Sequence, residues 1–199
     1  MIVKCDQNGI DITKKSLNNN GVIIFPTDTV YGIGCNPYST KAVERIYQIK
    51  QRDETKPLPI LGYSKDELSK IVFFDEKSSK LADKFWPGEL TLVLMIKDKK
   101  LKETMNLSNK IAVRVPNNKC VLSLLKECKI LTGTSANISG NSSLVDSKDC
   151  NKLLSNYDIL IDSGKIQSKG ESTVIEINDN KLKMIRNGSI SEQEILDVI

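Results

Sequence analysis

Short apolar runs suited to buried strands alternate with stretches that carry apolar residues at helical spacing, and this alternation limits the fold more than any other feature of the chain. Residues 21–25 (GVIIF) form one such run, ended by Pro26. TLVLMI at 91–96, IAVRV at 111–115 and a short piece at 130–132 follow as strands. Further strands are expected at 159–161, 172–177 and 181–185, the last two joined as a hairpin across Asn178-Asp179-Asn180. Between them, residues 40–51 place Val43, Ile46, Tyr47 and Lys50 on one helical face, with Arg52 just beyond the last turn. Ser64 and Glu67 have the spacing of a capping box, as do Ser191 and Glu194 at the last helix. Helices are also expected over 76–85, stopping at Trp86-Pro87-Gly88, and over 118–129 and 147–156. With 199 residues and no repeat or Ser/Gly-rich linker, the pattern reads as one domain, 1–199, of α/β class.

The chain contains no histidine, so a Ser-His-Asp triad, a His-activated cysteine and an imidazole acid or base are all excluded. Its formal charge is +4, which permits contact with phosphates without identifying a dedicated nucleic-acid binder. Of the 29 basic residues only Arg45, Arg52, Arg114 and Arg186 are arginines. Guanidinium is needed where an anion must be gripped at two points, so scarce arginines are candidate anion sites. Arg45, in mid-helix, reads instead as the partner of a surface acid. Cys5, Cys35, Cys120, Cys128 and Cys150 are odd in number, lack a C-x-x-C and read as scattered reduced thiols of a cytoplasmic protein. No apolar stretch approaches the length of a membrane span.

Four polar, glycine-containing segments adjoin these elements: 26–34 (PTDTVYGIG), 50–58 (KQRDETKPL), 131–140 (LTGTSANISG) and 170–174 (GESTV). Ligands of α/β proteins sit in such places. Small hydroxyl residues beside glycine let backbone amides approach an anion, so 132–137 can form a nest for phosphate or carboxylate, or an ordinary capping turn. Neither a Walker A pattern nor G-x-G-x-x-G after a strand occurs, so any nucleotide is held by other means.

Taken in order, PTDTVYGIG, Lys50-x-Arg52 followed by KPL, WPGELTLVL at 86–94, IAVRVP at 111–116, Ser135-x-Asn137, GESTV and IRNG at 185–188 resemble the YrdC domain family. Its single-domain members of the TsaC type are threonylcarbamoyl-AMP synthases of tRNA modification. The resemblance covers nearly the whole chain. It implies a twisted mixed β-sheet flanked by helices around a concave basic cleft, without the C-terminal domain of longer members. It further implies an enzyme that joins L-threonine, bicarbonate or carbon dioxide, and ATP with magnesium into threonylcarbamoyl-AMP and pyrophosphate. A partner transferase would pass the group to tRNA, and a weak contact with tRNA is a further expectation.

By the same resemblance, Lys50, Arg52, Ser135 and Asn137 form the catalytic set, and Thr29, Leu61, Arg114, Ser135 and Ser172 hold threonine. Lys50, Arg52, Lys56, Lys110, Asn137, Val145 and Arg186 face ATP. Leu61 stands where family members carry histidine, and KQRD, KPL and TSAN depart from the common K-G-R-P, N-P-L and PSAN. On chemical grounds Arg114 suits a carboxylate clamp, ahead of a strand-face ion pair. Asp28 and Glu171 are open candidates for metal ligands, bases or turn caps, and the metal ligands stay unassigned. The alternative from another class is a module that binds tRNA or double-stranded RNA without synthase activity. It draws on Lys97, Lys99, Lys100 and Lys102, which otherwise read as a solvated turn. A carbamoyl-transfer enzyme is a third option, but such enzymes carry this domain within much longer chains.

Overall fold

A computed structural model describes every residue except Lys169, Asp179 and Asn180, with Asn178 described by its backbone alone. In chain order the elements are β1 (Ile2–Lys4), α1 (Gln7–Asn18), β2 (Ile23–Pro26), β3 (Tyr31–Gly34), α2 (Thr40–Lys50), β4 (Ile60–Gly62), α3 (Lys65–Ser69) and α4 (Glu76–Phe85). Then follow β5 (Leu90–Met95), α5 (Lys99–Thr104), β6 (Lys110–Arg114), α6 (Lys119–Cys128), β7 (Ile130–Thr132) and β8 (Thr134–Ser135). The chain ends with α7 (Ser147–Leu153), β9 (Ile159–Asp162), β10 (Thr173–Asn178), β11 (Lys181–Arg186) and α8 (Glu192–Leu196).

The α/β class and the mixed pairing agree with expectation, and the strands divide into two mixed sheets. One has the order β1-β9-β2-β3-β8, the other β11-β10-β5-β6-β4-β7. All four residues of β2 are buried because both of its faces are covered. Ile24 joins the larger core with Ile33, Ile60 and Val113, while Ile23 and Phe25 join a smaller one with Ile10, Leu17, Val121 and Leu124 from α1 and α6. That two-sided burial is why GVIIF is apolar without alternation.

Between β7 and β8 the chain passes from one sheet to the other. Cys35 and Thr132 exchange hydrogen bonds across this crossing, and the amide of Gly133 donates to the Pro59 carbonyl at 2.8 Å. A Cβ on Gly34 would lie 1.9 Å from the Thr132 carbonyl oxygen, so only glycine lets the two segments come this close. Pairing of Gly32 with Ser135 in the first sheet and of Leu61 with Arg114 in the second then sets site residues on facing edges.

Several local readings need correction. The polar, glycine-containing segment 26–34 is itself half strand, since Tyr31–Gly34 form β3. Residues 2–18 contain β1 and α1, which the apolar pattern hid because Gly9 and Thr13 fill two of the four buried positions of α1. The lysine-rich 97–102 segment enters helix α5, capped by Asp98, with Leu101 buried. At α3, Ser64 accepts from the Glu67 amide, but the Glu67 carboxylate pairs with Lys70 at 2.6 Å and does not close the box. The box at Ser191 and Glu194 is complete. β10 and β11 pair as expected, while the turn at 179–180 lies outside the described residues.

Arg45 pairs with Asp158 at 2.9 Å, the surface role expected of it. Not all cysteines are free thiols: Cys5 and Cys120 form a disulfide with a Cα–Cα distance of 5.8 Å. The pair is 115 residues apart in sequence, and the packing of α1 against α6 brings the residue before the N-cap of α1 beside the first turn of α6. Burial pushes the thiols of Cys35, Cys128 and Cys150 up to about 12, so they stay protonated and unreactive. Among the described residues no helix is long and apolar enough to cross a membrane.

Candidate active site

Two adjoining cavities open between the sheets. The smaller, about 130 Å³, has polar walls from Thr29, Thr91, Arg114, Ser135 and Ser172, and apolar ones from Val30, Pro59, Leu61, Ala112 and Val174. Arg114 projects from the end of β6, and three protein acceptors fix its guanidinium. Nε donates to the Gly88 carbonyl at 2.8 Å, Nη1 to Thr29 Oγ1 at 3.1 Å and Nη2 to Asp28 Oδ1 at 2.5 Å. The ion pair ranked second from sequence is therefore present, with Asp28 in the β2–β3 turn. Five N–H groups less three leave one donor on each terminal nitrogen, the arrangement that grips a carboxylate at both oxygens. Gly88, from WPGELTLVL, and Asp28 thus position Arg114, and spacing alone could not show either contact.

The larger cavity, about 340 Å³, is lined by Lys50, Arg52, Lys56, Asn137, Asn141 and Arg186, with Asp53 and Glu171 as its acids. Lys50 ends α2 almost wholly buried, and its ammonium donates to the carbonyls of Ser135 and Asn137 and to Asn137 Oδ1. All three of its protons are spent on the Ser135-x-Asn137 segment, so Lys50 fixes that loop as well as charging the cavity. Burial first, and the Arg52 charge second, lower its pKa to about 8, opposed by Glu171. The Ser135 hydroxyl donates to Asn137 Oδ1 at 2.6 Å, and Asn137 Nδ2 to the Asn141 carbonyl. Gln51, in the left-handed region with φ 49°, turns the chain out of α2 so that Arg52 donates to the carbonyls of Lys56 and Pro57.

Ser135, Glu171 and Arg186 line both cavities. Arg186 donates to the Ser172 carbonyl and hydroxyl at 2.9 and 2.8 Å and to Glu171 Oε2, and burial lowers its pKa. The Ser172 hydroxyl also meets Thr91 Oγ1 at 2.9 Å. Gly188 lets the segment after Arg186 lie against 171–173, since a Cβ there would come within 2.5 Å of backbone atoms of Glu171, Ser172 and Thr173.

The structure thus gathers Thr29, Leu61, Arg114, Ser135 and Ser172 in one chamber, and Lys50, Arg52, Lys56, Asn137 and Arg186 around the next. Two of the sequence candidates line neither. Lys110 pairs with Glu176 at 2.6 Å, and Val145 accepts the Ile166 amide. For a metal, the described residues offer no group of three His, Cys, Asp or Glu side chains. Asp28 Oδ2 is buried without a partner, and both oxygens of Glu171 are engaged. This donor set fits magnesium only as an ion carried by phosphates, not in a protein cage.

Fold and site together define an α/β protein with an arginine-floored chamber opening into a larger polar one. The chain belongs to the Sua5/YciO/YrdC family, whose description reads telomere recombination and which matches residues 15–188. A relative from Methanocaldococcus jannaschii is 36% identical over 189 residues, covering 94% of this chain and 88% of its own. The threonylcarbamoyl-AMP synthase of Bacillus subtilis is 33% identical over 187 residues, covering 92% of this chain and 54% of its own. A crystal structure of Pyrococcus abyssi Sua5 complexed with L-threonine superposes with a TM-score of 0.91 at 30% identity, covering 100% of this chain and 61% of that one. The chain therefore spans little more than half the length of the Bacillus and Pyrococcus proteins.

Proposed function

We propose that this chain is an L-threonylcarbamoyladenylate synthase. The observation that carries the reading is the junction of two chambers with different chemistry. The small one offers an arginine with two free N–H groups, short hydroxyl donors and an apolar wall, which suits the carboxylate, amine and methyl of threonine. The larger is lined by four cations and two acids, an excess that suits a triphosphate. The relatives' names and the threonine complex of Sua5 support the same assignment.

The threonine amine adds to carbon dioxide to give a carbamate. A carbamate oxygen then attacks the α-phosphorus of ATP as the bond to pyrophosphate breaks, which is nucleotidyl transfer. Such a step rests on positioning and on neutralising charge on the departing pyrophosphate, and needs no covalent intermediate or histidine. Arg114, with Thr29, orients the carboxylate. Ser135 and Ser172 hold the amino acid at the junction. Lys50, Arg52, Lys56 and Arg186 take the phosphate charge, and Asn137 holds Ser135. A magnesium ion bound to the phosphates of the nucleotide would supply further charge neutralisation beside these four cations.

A cytoplasmic location, a partner transferase and tRNA as the final acceptor follow from this reading. The alternative, a module that binds RNA without synthesis, has weaker support in the lysines of 97–102. Lys97 and Lys100 lie over the rings of Phe73 and Tyr38, and Lys102 donates to Asn109, so three of those four lysines are engaged with their own chain. The reading is tested by incubating the protein with ATP, magnesium, threonine and carbon-14 bicarbonate and separating the products. A labelled adenylate that appears only with threonine supports it, and label confined to bicarbonate refutes it.

A further inference from the structure

Glu171 is the sole carboxylate among the described residues that lines both chambers, and it stands where carbamate and α-phosphate would meet. Its Oε2 accepts from Arg186 Nη1 and its Oε1 from the Ser143 hydroxyl. Arg186 is therefore already neutralised by the chain, although the proposed reaction needs it for phosphate. The contact is open to exchange, since the Glu171 and Arg186 side chains are 34% and 42% exposed. Ser143 belongs to the segment after Asn137, which is tied on its other side through the Asn141 and Leu144 carbonyls. The Glu171–Ser143 bond thus fastens that segment across the shared mouth of the chambers.

We propose that Glu171 is an internal stand-in for phosphate: its carboxylate holds Arg186 and the 138–144 segment until a polyphosphate displaces it. The inference rests on the synthase reading and adds a residue to it. Three anions, namely carboxylate, carbamate and phosphate, cannot share the junction without repulsion, so Glu171 must leave Arg186 as the nucleotide enters. A residue with this role opposes binding in the free protein. A metal ligand or a base would instead be needed for turnover.

The experiment is calorimetric titration of the whole protein with inorganic tripolyphosphate and, separately, with ATP and magnesium, alongside steady-state kinetics. Glu171→Gln is expected to tighten both ligands by about tenfold, because it removes the competing charge. Ser143→Ala, which frees the segment but keeps the charge, is expected to tighten them less. Structural damage could only weaken binding, so the gain distinguishes the role. Unchanged or weaker binding in Glu171→Gln overturns the inference while leaving the synthase reading intact. So does a hundredfold loss of kcat at unchanged affinity, which would make Glu171 a catalytic residue. Wild-type protein that binds neither ligand overturns both.

Discussion

Replacing Arg114 by alanine should damage the fold and the threonine site by amounts that can be measured separately. The side chains of Arg114 and Asp28 are only 7% and 11% exposed. Removing one partner of such a buried pair costs about 3–5 kcal/mol, because the other charge is left without compensation. Here the remaining carboxylate would have neither oxygen partnered, since Asp28 Oδ2 already lacks one. In a chain of this size that loss lowers the melting temperature by roughly 6–20 °C. Adding Asp28→Asn to the Arg114→Ala background removes the stranded charge and should restore at least about 1 kcal/mol. Threonine use should not recover. Loss of two charge-assisted hydrogen bonds to a carboxylate, about 3 kcal/mol, raises the threonine requirement by about a hundredfold in both variants. Urea unfolding supplies the first quantity, and the threonine dependence of pyrophosphate release supplies the second. A single variant that loses less than about 1 kcal/mol, or a double variant that regains threonine use, refutes this account of the ion pair.

Other outcomes follow from the same geometry. The Lys50 ammonium, lowered to about 8 by burial and Arg52 and opposed by Glu171, loses its charge as pH rises through that value, so kcat/KM for ATP should fall above pH 8. Stability moves the other way: between about 8 and the ordinary 10.5 the unfolded chain binds this proton and the folded one does not, so this group adds stability with rising pH. A flat kinetic profile between pH 7 and 9.5 would contradict the assignment. Gly188→Ala pushes a methyl into the backbone at 171–173 and should lower both the melting temperature and the affinity for ATP, read by thermal unfolding and calorimetry; wild-type values in both would show that the segment yields easily. Reducing the Cys5–Cys120 disulfide, which closes a loop of more than 100 residues, should lower the unfolding free energy by up to about 5 kcal/mol in urea melts with and without dithiothreitol, and Cys5→Ser should make the melts independent of reductant.

How much of this was legible without coordinates depended on whether the information was local. GVIIF announces itself because burial on both faces leaves no polar alternation, TLVLMI and IAVRV because they are nearly unbroken apolar runs although Val93 and Ala112 are only half-buried and Met95 is exposed, and α4, α6 and α8 carry their own caps. Strand β3 escaped notice because two of its four residues are glycines, kept by the Phe25 ring and the Thr132 carbonyl from being anything larger. Helix α1 escaped for a similar reason, since Gly9 and Thr13 stand where an apolar stripe would be sought. The division into two sheets is set at Gly133, by a hydrogen bond to Pro59 that no periodicity encodes. In the site, scarce arginine and hydroxyl-rich loops pointed to Arg52, Arg114, Arg186 and Ser135. The ties of Arg114 to Asp28 and Gly88, and of Lys50 to the Ser135-x-Asn137 segment, join residues from 26 to 87 positions apart and emerge only on folding.

The most direct test of the central claim is pyrophosphate release from ATP and magnesium by the purified protein, with threonine and bicarbonate each added or withheld. Release that requires both substrates together is the expected result. Release that ignores threonine, or none at all from protein that binds ATP, would contradict the synthase assignment.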